Sequence, residues 1–185
     1  MYLKPYQVRV AQAIDETLRR LRAEKGREDP DGATWVETAL DALGLTYRDR
    51  CWNGLGQPYP RLVLKIPTGG GKTLLAVEAI RAYQNLFAQK RTGLVVWIVP
   101  TETIYTQTVR RLRDKGHHLR QLLDQSSGNR TIILEKGQKL TREDVRDNLV
   151  ILFVMIQSIS RANNKEALKV FRSEEHTSEL QSPNT

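Results

Sequence analysis

Arg61-Leu62-Val63-Leu64-Lys65-Ile66-Pro67-Thr68-Gly69-Gly70-Gly71-Lys72-Thr73 is the stretch on which the fold turns. Leu62 to Ile66 is a short apolar run with one lysine and predicts a buried strand. From Lys72 onward, Leu74, Leu75, Val77 and Ile80 recur at helical spacing and predict a helix. Three glycines join the two. Glycine lets the backbone take positive φ and come close to a ligand. Successive N–H groups in such a loop form an anion nest, and the helix N-terminus adds partial positive charge. On this pattern Lys72 reaches the β- and γ-phosphates of a nucleotide and the Thr73 hydroxyl takes a place on Mg²⁺. The general phosphate-loop pattern asks for glycine five residues before the Gly71-Lys72 pair, and Ile66 stands there instead.

Outward from this stretch the chain reads as alternating strands and helices. Upstream, Val8, Ala11, Ile14, Leu18 and Leu21 form one stripe of a helix over residues 5–25. A shorter helix is expected over residues 34–43, stopped by Gly44. Residues 46–60 are polar, with two glycines and two prolines, and predict a loop. Downstream, Leu94–Val99 is apolar at nearly every position and predicts a parallel strand covered on both faces. Helices are expected over residues 103–112 and 118–123, with a turn at Ser126-Ser127-Gly128-Asn129. Thr131–Leu134 and Leu149–Val154 are further strands. Thr141 and Asp144 pair as a capping box at a helix start. Helical sequence resumes from Gln157. The alternation implies an α/β fold with a doubly wound, mainly parallel, right-handed sheet, and a ligand beyond the carboxyl ends of its strands.

Composition narrows the function classes. The chain has 185 residues, 39% hydrophobic and 27% charged, which is globular. No apolar run is long enough to cross a bilayer, and Met1–Pro5 lacks the apolar core of a signal peptide. One cysteine, Cys51, rules out an intrachain disulfide framework and fits a reducing compartment, so a cytoplasmic location is expected. Three histidines without ligand spacing offer no metal site beyond Mg²⁺ on a nucleotide. The net charge of +8 suggests a polyanionic partner. Arg19, Arg20, Arg22, Lys25 and Arg27 cluster at the end of the first helix, where a solvated helical face explains them equally well.

The form Pro67-Thr68-Gly69-Gly70-Gly71-Lys72-Thr73 resembles motif I of superfamily 2 helicases and translocases. Three further segments sit where such a motor places them. Leu3-Lys4-Pro5-Tyr6-Gln7 is similar to the Pro-Tyr-Gln stretch beside the adenine in DEAD/DEAH-type proteins. The resemblance implies that Gln7 reads the base and Tyr6 packs beside it. Without motif I downstream, Pro5 and Gln7 would mark only a helix start. Pro100-Thr101 looks like motif Ia, which holds the phosphates of a nucleic-acid strand. Ile156-Gln157-Ser158 resembles the Thr-x-Gln-Ser-type segment of type III restriction subunits, with Met155 in the place of a common threonine. Its implied role is nucleic-acid backbone contact.

Together these resemble the first RecA-like domain of a DEAD/DEAH-box helicase, and Leu64–Thr73 points to the type III restriction enzyme helicase (Res) branch. The resemblance implies ATP and Mg²⁺ as cofactors. It implies Pro67, Thr68, Gly69, Gly70, Gly71, Lys72 and Thr73 as nucleotide contacts, with Lys72 and Thr73 catalytic. DNA is the expected partner, with RNA open, and a modification subunit if the parent is a restriction enzyme. The expected organisation is an N-terminal helical segment with the adenine motif over residues 1–60, a partial RecA-like domain over 61–171, and a non-native tail over 172–185. The run from Arg172 to Ser182 resembles translated sequencing-adapter DNA. Setting it aside removes Glu174, Glu175 and Glu179 and leaves the chain more basic. An acidic motif II and a second RecA domain have no counterpart in residues 1–171. The expectation is therefore an incomplete domain of an ATP-dependent DNA helicase or translocase with weak nucleotide binding and negligible hydrolysis. Two other readings stay open at this point: a P-loop NTPase of another class, and a nucleic-acid-binding module that works without nucleotide.

Overall fold

The computed structural model describes residues 3–27, 33–47 and 51–160. The chain forms two compact units, within residues 1–90 and 91–185. The expected tail from Arg172 lies outside the described residues.

The first unit is helical. Helix α1, Pro5–Glu24, starts with proline at its first position, where a missing N–H costs nothing. Its buried stripe is Ile14, Leu18 and Leu21, whereas Val8 is exposed. Helix α2, Trp35–Asp41, is capped by Thr34, whose side chain accepts the Glu37 N–H while Glu37 returns a bond to the Thr34 N–H. Helix α3, Lys72–Ala82, runs on into a π-helical segment, Tyr83–Ala88. The stripe of α1 packs with Val36, Ala39 and Leu40 of α2 and with Ala82 and Phe87. Phe87 stacks on Trp35 at 6.1 Å, and Lys25 Nζ lies 4.9 Å from the centre of the same ring.

Residues 61–67 correct the sequence reading. They form no ladder, and Leu62, Val63 and Leu64 are exposed, Val63 at 78%. A strand needs a neighbour to satisfy alternate backbone groups. Among the described residues none pairs with this stretch, so its apolar character alone does not make it a strand.

The second unit is α/β. Strands β1 (Gly93–Val99), β2 (Thr131–Leu134) and β3 (Leu149–Met155) form a parallel sheet in the order β1-β3-β2. Helices α4 (Glu102–Arg113) and α5 (His118–Ser127) connect β1 to β2; α6 (Arg142–Asp147) leads into β3, and α7 (Ile156–Ser160) follows it. The first of these helices, α4, is longer at both ends than expected, and α5 takes in Ser126 and Ser127, which the sequence suggested as a turn. β3 is the central strand and is buried from Leu149 through Phe153, which is why it reads as an uninterrupted apolar run.

Register pairs Gly93 with Leu149 and Val99 with Met155. Trp97 and Phe153 thus stand side by side, with ring centres 5.4 Å apart, and Tyr105 of α4 meets Phe153 edge-on at 6.0 Å. Helix α4 therefore covers this face of the sheet. The opposite face is covered over β3, where Val150 and Leu152 are buried. It is not covered over β1, where Leu94, Val96 and Ile98 are exposed. Among the described residues β1 is thus an edge strand with one face exposed, not the strand covered on both faces that its composition predicts.

Candidate functional site

The glycine loop is built by a turn and a helix start. The Gly70 N–H donates to the Pro67 carbonyl at 3.0 Å, with Gly69 at φ +74° in the third position of the turn. That is the residue of a type II turn that requires positive φ. Gly71 follows at φ +78° as N-cap of α3. A Cβ on Gly70 would lie 2.7 Å from Ile66 Cγ2 and 2.8 Å from the Pro67 carbonyl oxygen. Ile66, the departure from the general loop pattern, therefore packs against Gly70, and together they demand a residue without a side chain.

Gly71 gives α3 no side-chain cap, and its first turn carries no acidic residue. Among the described residues the amide donors that begin this helix thus meet no carboxylate or hydroxyl, which is the donor set an anion takes. Lys72 is exposed, and its ammonium donates to the Pro67 carbonyl at 2.9 Å. That carbonyl accepts both the Gly70 N–H and the Lys72 ammonium, the role a phosphate oxygen would fill. Thr73 is half-buried one position into the helix. The residues present fit a phosphate group, with Lys72 as the exposed cation beside it.

Tyr6 and Gln7 come to this same loop. The Tyr6 hydroxyl donates to the Gly70 carbonyl at 2.8 Å and Gln7 Nε2 donates to it at 3.1 Å. The Gln7 Oε1 accepts the Lys4 N–H at 2.9 Å. The sequence associated both residues with a base; what it could not show is that they hold the loop backbone. No local signal carries a contact between residues this far apart in the chain.

In the second unit, Pro100 and Thr101 follow β1, and Gln157 and Ser158 follow β3. The Val99–Met155 register brings both segments to the carboxyl edge of adjacent strands. Thr101 caps α4, its hydroxyl accepting the Ile104 N–H at 3.4 Å, and is exposed with Pro100. Gln157 is exposed and Ser158 is buried. The structure thus gathers the four residues that the sequence proposed for nucleic acid at one end of one sheet.

Two clusters in this unit escaped the sequence. Glu135, directly after β2, accepts the Tyr105 hydroxyl at 3.0 Å and pairs with Arg113. Burial, and then Glu135, push the Tyr105 phenol up to about 12. Arg120 of α5 is buried and binds Asp124 through Nε at 2.9 Å. Its other nitrogens donate to the carbonyls of Leu112 at 3.1 Å and Thr131 at 2.8 Å, tying α4, α5 and β2 together. The Arg120–Asp124 spacing is the only trace of this hub in the sequence. At the start of α5, His117 and His118 stack at 4.4 Å, and burial, with His117 beside it, lowers the His118 imidazole from its ordinary value.

Among the described residues, no group of three His, Cys, Asp or Glu could hold a metal, and no helix is long and apolar enough to cross a membrane. No curated protein and no solved structure matches the chain. The family model described as type III restriction enzyme, res subunit, matches residues 1–180. With a match over nearly the whole chain, a glycine loop at a helix start and a parallel sheet, the chain belongs to the type III restriction enzyme res subunit family, as its helicase-like first domain.

Proposed function

We propose that this chain is the ATP-binding portion of an ATP-dependent DNA helicase or translocase of the restriction type. The observation that carries the reading is the start of α3 without a side-chain cap, reached through Gly69 and Gly71 at positive φ, with Lys72 donating to a loop carbonyl. Pro67, Thr68 and Gly69–Gly71 would surround the phosphates, and Lys72 would exchange the Pro67 carbonyl for a phosphate oxygen. The Thr73 hydroxyl would hold Mg²⁺, which supplies neutralisation of phosphate charge when bound with the nucleotide. Tyr6 and Gln7 complete the nucleotide side. Pro100, Thr101, Gln157 and Ser158 would take the backbone of a DNA strand, with RNA as the second candidate. A modification subunit as partner and a cytoplasmic location go with the restriction-type reading.

The chain's own residues bind and orient. No strand among the described residues ends in paired acids to position a water, so turnover by this chain is expected to be negligible; robust DNA-stimulated hydrolysis would overturn that expectation. Calorimetric titration with ATP tests the site. Lys72→Ala should weaken binding at least about tenfold, the loss of one charge-assisted contact. Unchanged affinity would remove the loop from the nucleotide site. DNA binding that weakens with salt but ignores both ATP and Lys72→Ala would favour a nucleotide-independent binding module.

A further inference from the structure

Gln7 is assigned to the base by resemblance, yet its amide is engaged elsewhere. It is 5% exposed, its oxygen takes the Lys4 N–H, and its nitrogen donates to Gly70. A Cβ on Gly71 would lie 2.5 Å from Gln7 Nε2, so the amide fills the space a side chain at 71 would need. Tyr6 donates to the same carbonyl. Gly70 thus offers one oxygen to two donors, both from the first turn of α1.

The peptide between Gly70 and Gly71 is planar and trans, so its C=O and N–H point in opposite directions. Holding the Gly70 oxygen toward α1 aims the Gly71 N–H the other way. It also keeps a carbonyl, which would repel a phosphate, from turning into the cradle. We infer that Gln7, assisted by Tyr6, is a positioning residue for the phosphate loop: it sets the Gly70–Gly71 peptide so that the loop donates to an anion, whatever base that anion carries. This rests on the nucleotide reading of the loop for its consequence, but not for the latch itself.

Two measurements on the full chain separate the two. In ligand-free protein, amide hydrogen exchange at Gly70, whose N–H is held by the Pro67 carbonyl, should quicken about two- to tenfold in Gln7→Ala, the range of one lost hydrogen bond, while the buried amides of β3 keep their wild-type rates. Tyr6→Phe, which removes only a hydroxyl from a half-buried ring, should quicken the same amide by a smaller factor and guards against misfolding of the first variant. Unchanged loop exchange in both variants overturns the inference. In the second measurement, affinities for ATP and for inorganic tripolyphosphate should fall by the same factor in Gln7→Ala. A fall for ATP with tripolyphosphate untouched makes Gln7 a base reader and overturns the inference. If the wild-type chain binds neither ligand, the nucleotide reading fails, and the exchange rates still decide whether the latch exists.

Discussion

Two apolar runs of similar composition meet different fates in this molecule. Leu149–Phe153 is buried between two parallel neighbours, whereas Leu62–Leu64 is exposed and unpaired among the described residues. Composition selects residues that suit a sheet; only a neighbour supplies the ladder. The first run is held by its surroundings and the second by what flanks it, a turn and a helix start.

The largest test of that contrast is a pair of truncations. Phe153→Ala removes a fully buried ring that meets Trp97 and Tyr105, and should cost about 3–5 kcal/mol in denaturant unfolding. Val63→Ala should stay within about 0.5 kcal/mol. A comparable loss at Val63 would mean that the stretch is packed after all. Next in size is Arg120→Ala, which strands Asp124 and two carbonyls and should destabilise the second unit by about 3 kcal/mol, read by the same unfolding curve. Gly71→Ala probes the loop. A left-handed backbone costs a non-glycine residue about 1–2 kcal/mol, and the Gln7 amide must move aside. Phosphate affinity should fall while the Phe153 region keeps its exchange rates.

The smallest effect is on pH. The folded Tyr105 phenol titrates near 12 against an ordinary 10.0, so the folded state favours the protonated form. Its contribution to stability is complete below pH 10 and is lost as pH rises toward 12. Phenolate absorbance should show a tyrosine titrating near 12 that disappears in Tyr105→Phe.

Much of the second unit was legible. Strands at Thr131 and Leu149 and the Thr141–Asp144 cap follow from apolar runs and a local side-chain pattern, and they form as expected. Gly71 at the start of α3 was legible for the same reason. The misreadings, and the Gln7 contact that the sequence did not show, share a cause. Whether Leu62–Ile66 pairs, whether Leu94, Val96 and Ile98 are covered, and where Gln7 sends its amide all depend on partners far away in the chain, and periodicity carries no information about those. Family resemblance supplied a role for Gln7 but not its geometry.

The exposed side of β1 makes association between copies sensitive to salt. Gly93–Val99 carries no charge, and among the described residues its outer edge pairs with no strand, beside exposed Leu94, Val96 and Ile98. What keeps copies apart is the mutual repulsion of a chain with net charge +8, and added salt screens that repulsion. Raising ionic strength therefore favours strand-to-strand association, and dilute buffer is the condition in which this edge is best kept from pairing between copies.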